Sequence, residues 1–225
     1  MLTGNEVIFL LDVDNTLLDN DRFTADLGDR LEEAFGPEER ARYWSLFAQR
    51  REQIGLADYL GSLQAFRAGL DDRPELLDMS AFLLEYPFAA RLFPRALDAV
   101  AHLSGLGCPV ILSDGDIVFQ PRKIHRSGIW DAVGGRVMIY LHKERVLDHV
   151  QERYPAKHYV MVDDKPNLLA AMKSILKTRM TTVFVRQGHY ALAPESNSVE
   201  PAPDMMIERI EDLIRCQLSD FKVPP

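Results

Sequence analysis

Two carboxylates stand at the end of an apolar run near the start of the sequence. Residues 7–11 (VIFLL) are typical of a buried strand, and Asp12, Val13 and Asp14 follow directly. In an extended chain residues i and i+2 point to the same side, so the two carboxylates would project together. Burying both charges costs free energy unless a cation binds between them or one of them holds a proton. The spacing therefore predicts a functional site.

Both ways of relieving the repulsion suit phosphoryl transfer. An ionised Asp12 bound to Mg²⁺ could attack phosphorus, and a protonated Asp14 could donate its proton to the leaving oxygen. In open α/β sheets ligands collect outside the carboxyl ends of strands, which is where this pair is expected. Thr16 lies two residues beyond Asp14 and adds a hydroxyl.

A hydroxyl, a carboxylate and a glycine follow a second apolar run. Residues 109–112 end at Ser113, and Asp114 and Gly115 come next. A hydroxyl and free backbone N–H groups at a strand end can hold phosphate oxygens. We therefore expect a phosphate-binding segment here.

A lysine and a second acidic pair follow two later apolar runs. Lys143 lies just beyond residues 137–141, and Asp163-Asp164 follows residues 159–162. The acidic pair could complete a hard-cation site with oxygen ligands. A site with several aspartates and a phosphate needs a fixed positive charge, because repulsion would otherwise defeat binding. Lys143 is the candidate for that charge, and Lys123, which lies closer to Ser113, is the rival.

These residues need a scaffold that brings strand ends together, and the rest of the sequence predicts one. Short apolar, β-branched runs alternate with helical patterns, which is typical of a parallel sheet covered on both faces. The predicted strands are Val7–Leu11, Pro109–Leu112, Val137–Leu141, Tyr159–Val162 and Thr181–Val185. The predicted helices among them are Arg95–Leu106, Lys143–Arg153, Asn167–Ile175 and Ile207–Leu218. The fold class is α/β with a Rossmann-like core.

One segment breaks this alternation. Residues 22–86 contain no convincing strand but carry apolar residues at helical spacing. We therefore expect a helical domain at residues 21–88, inserted into a core formed by residues 1–20 and 89–225. The aromatic residues of the insertion are assigned to its own core, and Arg50 and Arg51 are weighed as contacts for a second anionic group of a substrate. The Pro- and Ser-rich residues 193–203 are expected to form a surface loop.

Composition excludes several classes of protein. The chain has 225 residues, 47% hydrophobic and 27% charged, which is ordinary for a globular protein. Its net charge of −8 argues against generic binding to nucleic acid or to anionic lipid. Two distant cysteines and the lack of a leader-like or membrane-spanning apolar segment favour a cytoplasmic protein. The sequence does not indicate an oligomeric state.

The ordered motifs resemble those of the haloacid dehalogenase superfamily. The matching residues are Asp12-Val-Asp14-Asn-Thr16, Ser113, Lys143 and Asp163-Asp164, and the helical insertion resembles that superfamily's C1 cap. The resemblance implies that Asp12 is the nucleophile, that Asp14 is general acid and then general base, and that Lys143 neutralises charge. It also implies phosphate binding by Thr16 and Ser113, with Asp114 and Gly115 beside them. It implies Mg²⁺ held by Asp12, by the backbone carbonyl of Asp14 and by Asp164 or Asp163.

The resemblance favours a phosphate ester over an organic halide as substrate. The dehalogenases of this superfamily lack an aspartate two residues after the nucleophile, because a halide leaving group needs no proton. Asp14 is present here, so the expected activity is hydrolysis of a small phosphomonoester. The chain departs from the usual pattern at Asn15, at Asp114 and at Glu144, where many members have glycine, asparagine and proline. None of these changes removes a catalytic group.

Alternatives remain at this level. A phosphomutase would use the same residues but return the phosphoryl group to a sugar, and a noncatalytic module could keep the fold without turnover. Each motif also has a simpler interpretation. The aspartates and Ser113 could cap helices, and Lys143 could be a solvated surface charge.

Overall fold

Six strands form one parallel sheet in the computed structural model, which describes residues 5–70, 72–191 and 199–223. The order across the sheet is β3-β2-β1-β4-β5-β6, and each neighbouring pair is parallel. The strands are β1 (Asn5–Leu11), β2 (Cys108–Asp114), β3 (Val137–Tyr140), β4 (Ala156–Asp163), β5 (Met180–Val185) and β6 (Met205–Ile207). The α/β prediction is confirmed.

Helices cover both faces of the sheet. They are α1 (Asn20–Phe35), α2 (Pro37–Ile54), α3 (Tyr59–Phe66), α4 (Glu75–Glu85), α5 (Ala96–Leu106), α6 (Phe119–Arg126), α7 (Ile129–Ala132), α8 (Leu147–Arg153), α9 (Pro166–Leu176) and α10 (Gly188–Ala191). Strand β1 shows why the apolar run is continuous. Phe9 and Leu11 pack into one hydrophobic cluster, while Ile8 and Leu10 pack into a second cluster on the other face. Both faces of this central strand are therefore buried.

Four helices, α1–α4, occupy the segment for which no strand was predicted. Their core includes Phe23, Tyr43 and Phe66, which are fully buried. The side chain of Asp19 caps α1, and that of Asp58 caps α3, each by accepting a backbone N–H hydrogen bond. The division into a core and an inserted domain at residues 21–88 stays a prediction.

One predicted element differs from the structure near the carboxyl end of the sequence. The helix expected at Ile207–Leu218 is wrong, because Met205–Ile207 pairs with β5 as a sixth strand, which uses the backbone of Ile207 in the sheet. Two 3₁₀ turns follow, at Ile210–Arg215 and Leu218–Phe221. An extended Cys216 separates them, and its carbonyl lies 2.9 Å from His102 Nε2 on α5. The pattern read as one helix therefore belongs to three short pieces.

Smaller differences concern a helix start and a loop. The helix expected from Lys143 begins at Leu147, because Lys143–Arg145 forms a 3₁₀ turn. Residues 192–198 of the expected loop at 193–203 lie outside the described residues, and residues 199–203 contain neither helix nor strand. Within the described ranges, no helix is both long and apolar enough to cross a membrane.

Candidate active site

The carboxyl ends of three adjacent strands bring the first, second and fourth motifs together. Strand β1 lies between β2 and β4, with Leu11 in register with Ile111 on one side and Val162 on the other. Asp12 follows β1 directly, and its backbone N–H donates to the Val162 carbonyl at 3.1 Å. Ser113 lies on β2 and Asp163 on β4 at the same edge of the sheet. Parallel strands thus place the polar residues where ligands bind in open α/β sheets.

Lys143 is fully buried between the first and fourth motifs. Its Nζ donates to Asp12 Oδ1, lies 2.6 Å from Asp163 Oδ2 and contacts the Leu112 carbonyl at 3.3 Å. Burial alone would lower the pKa of Lys143, but the carboxylates of Asp12 and Asp163 outweigh burial and raise it above its ordinary value. The lysine is therefore a fixed cation beside Asp12, which is the position that the sequence predicted.

An acidic cluster lies beside this lysine. Carboxylate oxygens of Asp12, Asp163 and Asp164 all lie within 4.8 Å of one another. Among the described residues, Asp12 Oδ2 and both oxygens of Asp164 have no hydrogen-bond partner. Burial, and then the charges of Asp163 and Asp12, raise the pKa of Asp164 to about 9. Buried carboxylate oxygens without partners are costly, and an all-oxygen set is what a hard divalent cation takes. The residues present therefore fit Mg²⁺.

The two members of the acidic pair differ in their partners. Asp163 Oδ2 lies 2.6 Å from Lys143 Nζ in an ion pair, and its Oδ1 accepts from the backbone N–H of Lys165 at 2.8 Å. Asp164 keeps both oxygens without a partner among the described residues. This contrast favours Asp164 over Asp163 as the direct ligand, a choice that the sequence left open.

Asp14 lies apart from the cluster and is held by a second buried lysine. Lys123 Nζ lies 2.8 Å from Asp14 Oδ1 and 2.9 Å from Oδ2. The lysine is fully buried, whereas the Asp14 side chain is 30% exposed and lines a cavity. Sequence reasoning set Lys123 aside as the rival of Lys143. The structure shows that both lysines belong to the site and that each pairs with a different aspartate of the first motif.

The second motif connects to the same region through α6. Gln120 Nε2 donates to Ser113 Oγ at 2.9 Å and lies 3.4 Å from Asp14 Oδ2. Asp114 Oδ1 accepts the backbone N–H of Lys143 at 2.8 Å, and burial raises the pKa of Asp114 although the charge of Lys143 opposes it. Asp114 thus positions the segment that carries Lys143.

The structure corrects one expectation for phosphate binding, at Gly115, and leaves another, at Thr16, as a prediction. The backbone N–H of Gly115 is not free, because it donates to the Tyr140 carbonyl at 2.9 Å and so continues the pairing of β2 with β3. Thr16 is fully buried, its Oγ1 has no partner among the described residues, and it is not one of the residues that line the cavity. In this conformation Ser113 also uses its hydroxyl internally, since Oγ donates to the Asp114 carbonyl at 3.3 Å.

Asn15 explains one departure from the usual motif. Its φ of 60° lies in the left-handed region, which asparagine tolerates better than most residues. Its Oδ1 accepts the backbone N–H groups of Asn20 at 3.0 Å and Asp21 at 3.2 Å. The Asn15 side chain therefore links the start of α1 to the loop that carries Asp14. Glycine has no side chain that could make these hydrogen bonds.

A cavity of about 550 Å³ separates these residues from the helical segment. Its core side includes Asp14, Asp114, Gly115 and Gln120, with Lys165 beside them. Burial lowers the pKa of Lys165, but the carboxylates of Asp12 and Asp163 outweigh burial and raise it. Sequence reasoning did not name Lys165, although its place directly after the acidic pair was a usable signal.

The opposite wall of the cavity comes from α2 and the segment that leads into α3. Trp44, Phe47 and Tyr59 line it, so three of the aromatic residues assigned to the core of the insertion also face the cavity. Arg51 lines it too and donates to the Tyr190 hydroxyl, whereas Arg50 pairs with Asp58. Of the two arginines, only Arg51 is placed to meet a bound molecule.

Comparison with known proteins decides the family. The model of the haloacid dehalogenase-like hydrolases matches residues 7–175, a stretch that contains every motif described above. The chain belongs to this family. Among curated proteins, none matches the chain.

Solved structures of other haloacid dehalogenase-like hydrolases agree. The chain is 53% identical to such a protein from Burkholderia xenovorans LB400, with 96% of this chain and 99% of that chain covered and a TM-score of 0.89. The L-2-haloacid dehalogenase of Xanthobacter autotrophicus shares the fold at 20% identity and a TM-score of 0.57, over 92% and 96% of the chains. The hydrolase YfnB of Bacillus subtilis, whose structure was solved bound to magnesium, also shares the fold, at 18% identity and a TM-score of 0.62. The match covers 93% of this chain and 97% of that chain.

Proposed function

We propose that this haloacid dehalogenase-like hydrolase is a Mg²⁺-dependent phosphatase that acts on a small phosphomonoester. The observation that carries the proposal is the carboxylate of Asp14, which lines the cavity two residues beyond Asp12. A phosphate ester releases an alkoxide that needs a proton, and a halide does not. A carboxylate at this position is therefore useful to a phosphatase and has no role in expelling a halide.

The proposed reaction has two steps. In the first, which begins with a protonated Asp14 carboxyl group, a carboxylate oxygen of Asp12 attacks phosphorus, the bond from phosphorus to the leaving oxygen breaks, and Asp14 gives that oxygen its proton. In the second, Asp14 takes a proton from water as the water oxygen attacks the phosphorus of the aspartyl-phosphate. The bond to Asp12 then breaks and inorganic phosphate leaves. Lys143 stays charged throughout and stabilises the negative charge that gathers on Asp12 and the phosphoryl oxygens.

The metal site would use the acidic cluster. Asp12 and Asp164 would hold Mg²⁺ together with the backbone carbonyl of Asp14, and Asp163 would orient Lys143. When bound, Mg²⁺ would offset the negative charge of the carboxylates and of the phosphate. The oxygens of Asp12 and Asp164 that lack partners support this assignment. Ser113 and Thr16, whose Oγ1 has no partner among the described residues, would meet the phosphoryl oxygens.

The size of the cavity and the net charge of the chain support a proposal for the substrate, the partners and the cellular location. A cavity of about 550 Å³ suits a small molecule, and we propose that α1–α4 act as a C1-type cap that limits the access of bulk water and admits the water molecule that Asp14 activates in the second step. The net charge of −8 disfavours nucleic acid and anionic membranes as partners. We propose a cytoplasmic enzyme. A phosphomutase is the alternative, and rapid hydrolysis of the aspartyl-phosphate without a sugar acceptor would argue against it.

The test is phosphate release from a panel of metabolite phosphoesters, with Mg²⁺ or with EDTA. We expect release that needs Mg²⁺ and is lost in Asp12→Asn, while Asp98→Asn, which alters an exposed ion pair with Arg95, keeps it. Chloride release from 2-chloropropionate is measured alongside. Chloride release without phosphate release would replace the phosphatase proposal with a dehalogenase, and phosphate release unaffected by EDTA or by Asp12→Asn would refute the mechanism.

A further inference from the structure

Lys123 on α6 is fully buried, and three polar oxygens surround its ammonium group. Asp14 Oδ1 and Oδ2 lie 2.8 and 2.9 Å from Nζ, and Asn20 Oδ1 lies 2.9 Å away. An ammonium has three hydrogens to donate, so these three acceptors satisfy it completely. The ammonium group of Lys123 contacts both oxygens of the Asp14 carboxylate and so fixes its orientation.

Four aromatic rings enclose the same ammonium. Nζ lies 5.5 Å from the centre of the Phe119 ring, 5.7 Å from Phe23, 5.8 Å from Phe88 and 5.9 Å from Tyr59. Rings at these distances attract a cation, and together they keep water away from it. Lys123 therefore has no solvated position within reach and cannot release Asp14 in the way that an exposed lysine would.

Asp14 needs such a support because it has few others. Its side chain is partly exposed to the cavity, and among the described residues only Lys123 and Gln120 contact its carboxylate, Gln120 at a longer 3.4 Å. Buried ion pairs contribute little net stability, since desolvation cancels most of the attraction. We therefore explain the contact of buried Lys123 with the Asp14 carboxylate by the orientation that it gives this carboxylate, and not by a contribution to the stability of the fold.

We propose that Lys123 is a positioning residue that holds the Asp14 carboxylate on the side of the cavity where the leaving group departs. The inference rests on the proposed phosphatase function. It also makes Lys123 a link between Asp14 and the helical segment, because Asn20 is the first residue of α1 and lines the same cavity. Loss of the ammonium would free the carboxylate and displace the proton that the leaving oxygen receives.

The test is the dependence of kcat/KM on the leaving group. This parameter covers formation of the aspartyl-phosphate, so for a given ester it reports proton donation to the leaving oxygen and not the later water attack. The probes are 4-nitrophenyl phosphate, whose leaving group is stable as an anion, and the fastest alkyl phosphate of the panel, whose leaving group needs a proton. The variant is Lys123→Met, which fills the aromatic enclosure without a charge.

We expect Lys123→Met to lower kcat/KM for the alkyl ester about 10- to 100-fold more than for 4-nitrophenyl phosphate, because small misplacements of a catalytic group have effects of this size. In an Asp14→Asn background the same substitution should change kcat/KM for the alkyl ester less than about threefold, since it acts through Asp14. Lys173→Met serves as the matched control, because Lys173 pairs with Asp204 away from the cavity.

Three outcomes would overturn the proposal. They are an equal loss for both esters, a raised ratio of alkyl to nitrophenyl rates, and an effect that is additive with Asp14→Asn. If the wild type releases no phosphate from any ester, the proposed function fails, and crystal structures still decide on Lys123. An Asp14 carboxylate that turns away in Lys123→Met but not in Lys173→Met supports positioning, and an unmoved carboxylate refutes it.

Discussion

The two fully buried lysines of the site, Lys143 and Lys123, differ in what surrounds them. Lys143 lies among acidic groups, because it contacts Asp12 and Asp163 and lies near Asp164. Lys123 pairs with Asp14 alone and is otherwise enclosed by an amide oxygen and aromatic rings. The Lys143 region could therefore bind a further cation, such as Mg²⁺, together with an anion, such as a phosphate group. The Lys123 region holds one functional group in place.

This difference separates two tasks that the proposed phosphatase must perform. Stabilising charge on a phosphoryl group requires several fixed charges whose sum changes when ligands bind. Delivering a proton to one oxygen requires a single carboxyl group in a fixed orientation. Strand ends supply the first arrangement, whereas one helix, α6, supplies the second through Gln120 and Lys123.

The largest effect is expected from Lys143→Met. Removal of this charge leaves Asp12 and Asp163 without their cation, so activity should fall at least ~1,000-fold, the scale of losing one strong electrostatic contact. The free energy of unfolding in EDTA should fall by about 3–5 kcal/mol, as for other broken buried ion pairs. Phosphate release and urea titration measure the two effects. Activity within tenfold of wild type would show that Lys143 is not the charge that the reaction uses.

The second-largest effect is expected from Asp14→Asn. Its size should depend on the leaving group of the ester. An amide cannot transfer a proton, so hydrolysis of alkyl phosphates should fall by roughly 100- to 10,000-fold. Formation of the aspartyl-phosphate from 4-nitrophenyl phosphate should be much less affected, and its hydrolysis should slow, so the aspartyl-phosphate should accumulate as a burst of nitrophenol. Rapid-mixing kinetics measure the burst. Equal losses for both esters without a burst would remove proton transfer from the role of Asp14.

The fold and the Lys143 region follow from local sequence patterns. Continuous apolar runs that end in polar residues are the pattern of central parallel strands, and the ends of parallel strands at one edge must meet. Asp12, Ser113 and Asp163 could therefore be placed together without coordinates. The short edge strand β6 and the 3₁₀ turns after it could not, because three residues carry too little pattern to reveal a strand.

The Lys123 region shows what such patterns miss. Its parts come from the first loop, from α1, from α3, from the 3₁₀ turn at Phe88–Arg91 and from α6, so no spacing in the sequence relates them. A lysine on a helix is most often solvated, and only packing shows that four rings enclose this one. The same holds for Trp44, Phe47 and Tyr59, because periodicity predicts a buried face but not which cavity it borders.

Stability against pH gives a third prediction, on the Lys143 side of the comparison. The pKa of Asp164 is raised in the folded protein to about 9 and is about 4 when unfolded. Between these values the folded state holds a proton that the unfolded state lacks. In EDTA the free energy of unfolding should therefore fall as pH rises from about 4 to about 9. Asp164→Asn should flatten this dependence.

Added Mg²⁺ tests the same carboxylate from the other direction. At pH 8 the wild type should gain about 2.7 kcal/mol at a Mg²⁺ concentration 100 times its dissociation constant, because a ligand of the folded state stabilises it by mass action. Asp164→Asn should gain much less at that concentration, and Asp98→Asn should gain as much as wild type. An equal gain in Asp164→Asn would move the metal away from this residue. Thermal or urea unfolding with and without Mg²⁺ measures the gain.

The smallest effect is expected from Gln120, which lies between the two regions. Its amide donates to Ser113 Oγ at 2.9 Å and only weakly to Asp14 at 3.4 Å, so Gln120→Leu should loosen both without removing a charge. We expect a loss of about three- to tenfold in kcat/KM, the value of one neutral hydrogen bond. If Lys123 is the main support of Asp14, this loss should be nearly equal for alkyl and nitrophenyl esters. A loss confined to alkyl esters would mean that Gln120, and not Lys123, positions the Asp14 carboxylate. The proposed difference in role between Lys143 and Lys123 would then be wrong.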